Sequence, residues 1–378
     1  MSTLTTELLP RLRAGSLTPA RERIRPVVDG DVDQVRDLWQ RAGGKDVTTS
    51  ASLLTRLFFD SPWRDDAFSS LVYEDSSGRL LGCLGITPRP MLFRERAIRA
   101  VVGHHLLVDA SRGGARAGIE LARRFLGGPQ DLSLAVWNDF GRRIWTSLGG
   151  IVSPFHSLSW TRALQPARYM LRMLRHRGLP LSAAVPLYPA CHAVDATLGV
   201  FRRRAVPNCP SSPLSDDLDV VTMLSYLSAF ASDRALRPCY DLATLSWLME
   251  TLGEAARDGH LHKVAVRTSS GRPLGWYVYY LGVSGAAEVM QVGGKDEALR
   301  DVLDHLFDHA RQRGAVAVTG PMDARLVAAL SERHCAFHRP RNTWALIHSH
   351  DARIVETIHA GDAFLSRLEG APWLEIEI

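Results

Sequence analysis

Cysteine is scarce and scattered in this chain of 378 residues: Cys83, Cys191, Cys209, Cys239 and Cys335 are odd in number, far apart and form no C-x-x-C pair. That excludes a disulfide framework and gives no sign of a cysteine zinc site or a dithiol redox couple, so a reduced, cytoplasmic protein is expected. The N-terminus lacks a positive region followed by an apolar core, and no secretory signal is expected. The chain also lacks a convincing membrane span, because its most apolar middle stretch is broken by Pro180, Pro186, Pro189 and Asp195. His334, His338, His348, His350 and His359 have no compact ligand spacing, so no metal is expected. Charge of one sign does not dominate, with 45 Lys and Arg against 40 Asp and Glu, yet nearly all the basic residues are Arg. Arginine suits bidentate contacts to phosphate and carboxylate, although a GC-rich genome explains the same bias. A hydrophobic share of 46% with 22% charged residues excludes large-scale disorder, and the length suggests two domains.

The most informative stretch is residues 101–150, which reads strand, glycine-rich turn, helix, strand, helix. Val101, Val102, Leu106, Leu107 and Val108 form a β-branched apolar run that stops at Asp109. Arg112, Gly113, Gly114, Ala115, Arg116, Ala117 and Gly118 follow, then a helix carrying Ile119, Leu121, Ala122, Phe125 and Leu126. A strand turning on glycines into a helix start presents backbone N–H groups to an anion, and the helix dipole adds to the attraction.

This stretch resembles the GNAT (Gcn5-related) acyltransferases, whose pyrophosphate loop follows the fourth strand as V-x-P-x-x-R-G-x-G-x-G/A. With Val108 in the family's Val position, only Gly114 and Gly118 fall in register, and Ala110, Gly113 and Arg116 replace Pro, Arg and Gly. With Arg112 in the Arg position, Gly113 and Ala117 fit, Ala115 replaces a Gly, and the lead-in is one residue short. The segment from Asn138 through Gly141, Ile144, Trp145 and Leu148 to Gly150 is similar to the family's N-x-x-A-x-x-L-Y-E-K-L-G-F ending. The resemblance implies that Leu107, Val108, residues 112–118 and Asn138 hold acetyl-CoA or another acyl-CoA, and that the arm of the coenzyme lies between two splayed strands. It puts Trp145 where the family often has a proton-donating Tyr, and indole cannot serve as that acid.

In order along the chain, residues 1–22 read as an N-terminal arm, and residues 23–164 as a first unit that opens with a strand and the helix of Val32, Val35, Leu38 and Trp39. Strands at 71–74 and 80–87 follow, with Pro88 and Pro90 closing the second. A strand within residues 153–164 is expected to complete this unit. Residues 165–214 read as a basic helical connector, amphipathic enough for peripheral membrane contact through 168–204, ending in a linker from Pro207 to Pro213. An interdomain connector packed by its apolar side is the plainer reading. Residues 215–378 repeat the order: helices at 219–231 and 241–257, strands at 262–268, 274–282 and 287–292, a helix from 297 to 313, and a strand at 316–319. The expected fold is therefore mixed α/β (α+β), two tandem GNAT-like units, each a mostly antiparallel sheet flanked by helices, as in the Fem aminoacyl transferases and protein N-myristoyltransferase. The second turn, Gly293, Gly294, Lys295, Asp296 and Glu297, offers acids to a diphosphate, so this unit is expected to bind no coenzyme.

Acyl transfer to an amine needs a base and oxyanion donors. His104 and His105 are candidate bases that strand alternation would point to opposite faces, with Asp109 as the alternative base or simply a turn cap. Arg112 and Arg116 are candidate diphosphate contacts or solvated loop arginines. Asn138 is a pantetheine contact, a helix N-cap, or both. Trp63, Trp276, Tyr277, Tyr279 and Tyr280 line an acceptor pocket or pack a core. Three readings stand: an acyl-CoA-dependent N-acyltransferase acting on a small-molecule or sugar amine, a transferase drawing on aminoacyl-tRNA, and a non-catalytic binding module. The first expects no nucleic-acid partner; the second would show steeply salt-dependent tRNA binding.

Overall fold

The computed structural model describes residues 22–42, 51–110, 114–205, 214–255 and 259–370. The N-terminal arm up to residue 21, the linker from Pro207 to Pro213 and Cys209 lie outside the described residues.

The first half runs β1 (Arg23–Pro26), α1 (Val32–Arg41), α2 (Ala51–Phe59), β2 (Leu71–Glu74), β3 (Leu80–Phe93), β4 (Arg96–Val108), α3 (Gly114–Leu126), β5 (Leu132–Trp137), α4 (Asp139–Ser147), β6 (Ile151–Val152) and β7 (Ser159–Ala163). Three helices follow, α5 (Pro166–His176), α6 (Leu181–Ala184) and α7 (Tyr188–Ala205). The second half runs β8 (Leu214–Asp217), α8 (Val220–Phe230), β9 (Leu236–Pro238), α9 (Leu242–Ala255), β10 (Gly259–Arg267), β11 (Pro273–Gly282), β12 (Ala286–Gly294) and α10 (Leu299–Gln312). It ends with β13 (Ala317–Pro321), α11 (Val327–Glu332), β14 (Ala336–His338), β15 (Trp344–His348), α12 (Ala352–His359) and α13 (Arg367–Gly370).

The described strands form two sheets, and each sheet borrows from the other half of the chain. Sheet one has the order β1-β2-β3-β4-β5-β15-β6, with β9 pairing β3; sheet two has the order β14-β7-β13-β12-β11-β10-β8. The strand expected to complete the first unit, β7, therefore pairs β13 and β14 of sheet two, while β15 from the second half inserts between β5 and β6. The boundary at residue 164 does not separate the sheets.

Pro88 and Pro90 do not close β3, which runs on to Phe93. The β2 ladder ends at Leu84 and the β9 ladder begins at Met91, so both prolines sit on a stretch of that edge where a missing N–H breaks no ladder bond. The β3–β4 hairpin closes in two residues, Arg94 and Glu95, both with positive φ, the conformation whose twist suits such a turn. Neither is glycine, and Arg237 of β9 clamps Glu95 through both carboxylate oxygens at 2.7 Å.

A layer of α1, α2, α8 and α9 lies between the sheets, its shared core including Leu38, Leu57, Cys83, Met223, Leu248 and Trp276. Helices α3 and α4 cover the other face of sheet one with Leu121, Phe125 and Trp145; α10 and α11 cover the other face of sheet two with Leu303, Leu306 and Leu330. Alternation along β11 sends Trp276 and Tyr280 into the central layer and Tyr277 and Tyr279 toward α10. All four are buried core residues, the packing alternative of their sequence reading and not an acceptor pocket. Trp63 alone of that set is half-buried, stacked on Tyr240 with the Arg89 guanidinium over it.

Candidate active site

Strands β4 and β5 are parallel and pair from Ala100 with Leu132 to Gly103 with Ala135. There the ladder stops, although β4 continues to Val108 and β5 to Trp137. The last rung is crowded: a Cβ on Gly103 would lie 3.0 Å from the Phe125 ring and 3.4 Å from the Trp137 ring. Beyond it the two strands no longer satisfy each other's backbone groups, and the gap opens toward the starts of α3 and α4. This is the split expected between the strand ending at Val108 and the one ending at Trp137.

Beside the gap β4 carries a bulge. Its register with β3 shifts between Cys83 opposite Leu107 and Gly85 opposite His104, and His105 has φ of 51°. The extra residue breaks the alternation that would have sent His104 and His105 to opposite faces. Instead their Nδ1 atoms approach to 2.6 Å. Gly85 makes this possible, because a Cβ there would overlap the His104 imidazole. His104 Nε2 lies 2.9 Å from Thr87 Oγ1, and the His105 ring packs on Trp39 with centroids 4.7 Å apart. The two histidines are 6% and 4% exposed, and among the described residues His105 Nε2 is buried with no hydrogen-bond partner.

Burial pushes the His105 imidazole down to about 3. Burial, then the neighbouring His105 and the Arg89 charge, hold His104 well below the usual histidine range. Both rings are thus neutral, and the Nδ1 contact holds one shared proton. When His105 donates it, its Nε2 is a bare acceptor and His104 Nε2–H faces Thr87; when His104 donates, His105 Nε2 carries the proton.

Asp109 is not a free base. It is 1% exposed, its carboxylate lies 3.1 Å from Arg41 Nε and 3.5 Å from an Arg79 nitrogen, and its carbonyl accepts the Gly114 N–H at 3.1 Å. It anchors the end of β4 to the start of α3.

Of the glycine-rich turn, Arg112 and Gly113 lie outside the described residues. Gly114 is buried against Asp109, where an added Cβ would meet the carbonyl oxygen at 2.6 Å. Ala115 and Arg116 face solvent, Arg116 pairing with Glu22 at 3.2 Å. Ala117 is fully buried, and a Cβ on Gly118 would be 3.3 Å from Val108, Phe140 and Ile144 alike. Leu107 and Val108 are half-buried along the split. Asn138 is exposed and caps α4, its Oδ1 accepting the Gly141 N–H at 2.9 Å. Trp145 is fully buried and donates its indole N–H to the Ile347 carbonyl of β15 at 3.1 Å.

Sheet two repeats the split with a different outcome. The parallel β12–β13 ladder ends at Glu288 with Thr319, while β12 runs on to Gly294. Here Phe364, Leu365 and Ser366 fill the gap and leave a cavity of about 20 Å³, room for about one water. Asp296 beyond β12 is held by Arg234 at 3.0 Å. Among the described residues no group of three or more His, Cys, Asp or Glu is placed to hold a metal ion.

Sequence reasoning missed Thr87, Gly85, Trp39, Arg41 and Arg79. None carries a local signal, because each matters only through the register of β3 and β4 or the packing of α1.

No protein-family model and no curated protein matches the sequence. Solved structures do match. N-myristoyltransferase of Saccharomyces cerevisiae with bound myristoyl-CoA is 10% identical at a TM-score of 0.51, over 91% of this chain and 79% of that one. A probable N-acyltransferase from Enterococcus faecalis V583 is 9% identical at 0.55, over 87% and 73% of the two chains. A GCN5-related N-acetyltransferase from Anabaena variabilis is 12% identical at 0.53, over 86% and 72%. The chain has the fold of these GNAT-type N-acyltransferases, with two mostly antiparallel sheets flanked by helices.

Proposed function

We propose that this protein transfers an acyl group from an acyl-coenzyme A to an amine, using the split of sheet one. The observation that carries the reading is the β4–β5 ladder that stops at Gly103 and Ala135 beside a bulge holding two buried histidines, one with a nitrogen that has no partner among the described residues. The fold likeness to N-acyltransferases, one solved with myristoyl-CoA, supports an acyl-CoA donor without choosing its chain length.

In the reaction a nitrogen–carbon bond forms, the carbon–sulfur bond of the thioester breaks, and the amine proton ends on the thiolate. His105 Nε2 is the proton acceptor in this scheme. Its ring passes the Nδ1 proton to His104 across the 2.6 Å contact. The shift then reverses: His104 Nδ1 returns its proton to His105 Nδ1 and His105 Nε2–H protonates the departing thiolate, a return favoured because burial disfavours a charged pair. Trp145, committed to Ile347, takes no part. Backbone N–H groups of β4 beyond Gly103, left without β5 partners, are the oxyanion donors. Leu107 and Val108 flank the acyl arm, and the start of α3 at Gly114 faces the diphosphate, with Arg116 as a screened charge contact.

A binding-only role is favoured by one observation, the core-buried Trp145 at the position where the resembled family often has its acid. Calorimetry with acetyl-CoA and longer acyl-CoAs, followed by thiol release with a panel of amines, separates the two. Binding without turnover leaves the binding role; absence of binding by every acyl-CoA refutes both. With turnover, His105→Gln is expected to lower kcat by about 10²–10⁴ with acyl-CoA affinity kept. Unchanged turnover would remove the histidine pair from the mechanism.

A further inference from the structure

We propose that the α5–α7 hairpin docks this protein on an anionic lipid surface. From Leu181 to Leu198 only Ala184 is buried, so the hairpin projects from the body of the protein. Met170 and Leu174 on α5, Leu181 and Val185 at the bend, and Val194 and Leu198 on α7 are each 41–58% exposed. Of the sixteen large apolar side chains exposed among the described residues, eight lie in this one segment, a concentration that isolated surface leucines do not produce.

Charge selects the occupant. Seven arginines, from Arg168 to Arg204, and one aspartate fall within the hairpin, so it carries +6 while the whole chain carries +5. The rest of the protein sums to −1, and the net positive charge resides entirely here. The one acid, Asp195, is consumed in capping α5, accepting the Ala167 and Arg168 N–H groups at 2.9 and 3.0 Å. Among the described arginine side chains Arg172 donates to the Ser284 carbonyl and Arg175 to the Tyr188 hydroxyl, and no carboxylate pairs with them or with Arg168 and Arg177.

Exposed aliphatic side chains on a segment whose described arginines pair with no carboxylate match the acyl and phosphate levels of a bilayer surface, where long basic side chains keep their heads at the phosphates. A second copy of this chain is a poor occupant, because a two-fold contact would set +6 against +6. No helix among the described residues is long and apolar enough to cross a membrane, so contact would be interfacial. The Arg172 bond to Ser284 ties the hairpin to the β11–β12 turn, where the adjacent Val283 is 81% exposed.

The test is co-sedimentation of the full chain with phosphatidylcholine vesicles, with and without phosphatidylglycerol, at low and high salt. Binding is expected only with the anionic lipid, weakening with salt. Arg175→Glu with Arg177→Glu is expected to weaken it by at least about 25-fold, from about fivefold per arginine removed. Leu174→Asp with Leu198→Asp should abolish it while leaving urea stability and acyl-CoA affinity intact, since both side chains are exposed. Absence of vesicle binding, binding unchanged by the leucine variants, equal capture by heparin, or concentration-dependent dimerisation lost in the leucine variants would each overturn the proposal.

Discussion

Gly114→Ala tests how the proposed coenzyme end of the site is built. Its new Cβ would lie 2.6 Å from the Asp109 oxygen, 2.8 Å from its carbonyl carbon and 3.1 Å from its nitrogen, all backbone atoms that no rotamer change can move aside. Relief requires the end of β4 and the first turn of α3 to separate, straining the 3.1 Å Gly114 bond and the Asp109 pairs with Arg41 and Arg79. Overpacking of this kind costs about 1–3 kcal/mol. Gly118→Ala is the comparison: its nearest neighbours are side-chain atoms at 3.3 Å, which can yield, so a smaller loss is expected. Arg116→Ala removes an exposed ion pair with Glu22, worth about 1 kcal/mol or less. Urea unfolding and calorimetry with acetyl-CoA should therefore rank the losses Gly114, then Gly118, then Arg116, with Gly114→Val worse than Gly114→Ala. Full stability and full affinity in Gly114→Ala, beside weakened affinity in Arg116→Ala, would refute the reasoning and assign the anion to side chains.

Two further outcomes follow from burial. His105 is held down to about 3 and His156 to about 4, both by burial, so below about 6.5 the unfolded chain takes up protons that the folded chain refuses. Stability should be flat above that value and fall as pH drops toward about 4, by about 1.4 kcal/mol per unit for each buried histidine; urea midpoints measured against pH check this, and a flat profile contradicts neutral burial. Phe364→Ala should cost about 3–5 kcal/mol by emptying the plug of sheet two without creating a second acyl-CoA site, and two bound equivalents in calorimetry would show otherwise.

Much of the fold was legible because it rests on local periodicity. Leu299, Val302, Leu303, Leu306 and Ala310 mark the buried face of α10, and the aromatic alternation of β11 was visible in the sequence, although the faces it feeds are core. What escaped depends on partners distant in the chain. Nothing within residues 153–164 says that β7 will pair β13 more than 150 residues later, and nothing in His104 and His105 announces a bulge, which exists only relative to β3. The same holds for Asp109: its sequence position suits a turn cap, and only the tertiary approach of Arg41 and Arg79 commits its carboxylate.

The exchanged strand also explains why two similar splits differ. After β15 completes sheet one, the chain continues through α12 and sends Phe364, Leu365 and Ser366 into the gap of sheet two. Glu369, 1% exposed, fixes that segment by accepting the Tyr240 hydroxyl at 2.6 Å, the Gln291 amide at 3.0 Å and the Ser366 N–H at 2.7 Å. Arg89 of β3 donates to the Leu368 carbonyl at 3.2 Å. Two residues earlier on the same face of β3, Thr87 meets His104 in the other split. The strand that positions the histidine pair thus also holds the plug, and the Arg89 charge helps to keep His104 neutral. The single crossing of the chain that completes sheet one also closes the gap of sheet two, which is why one acyl-transfer site per chain is the expectation.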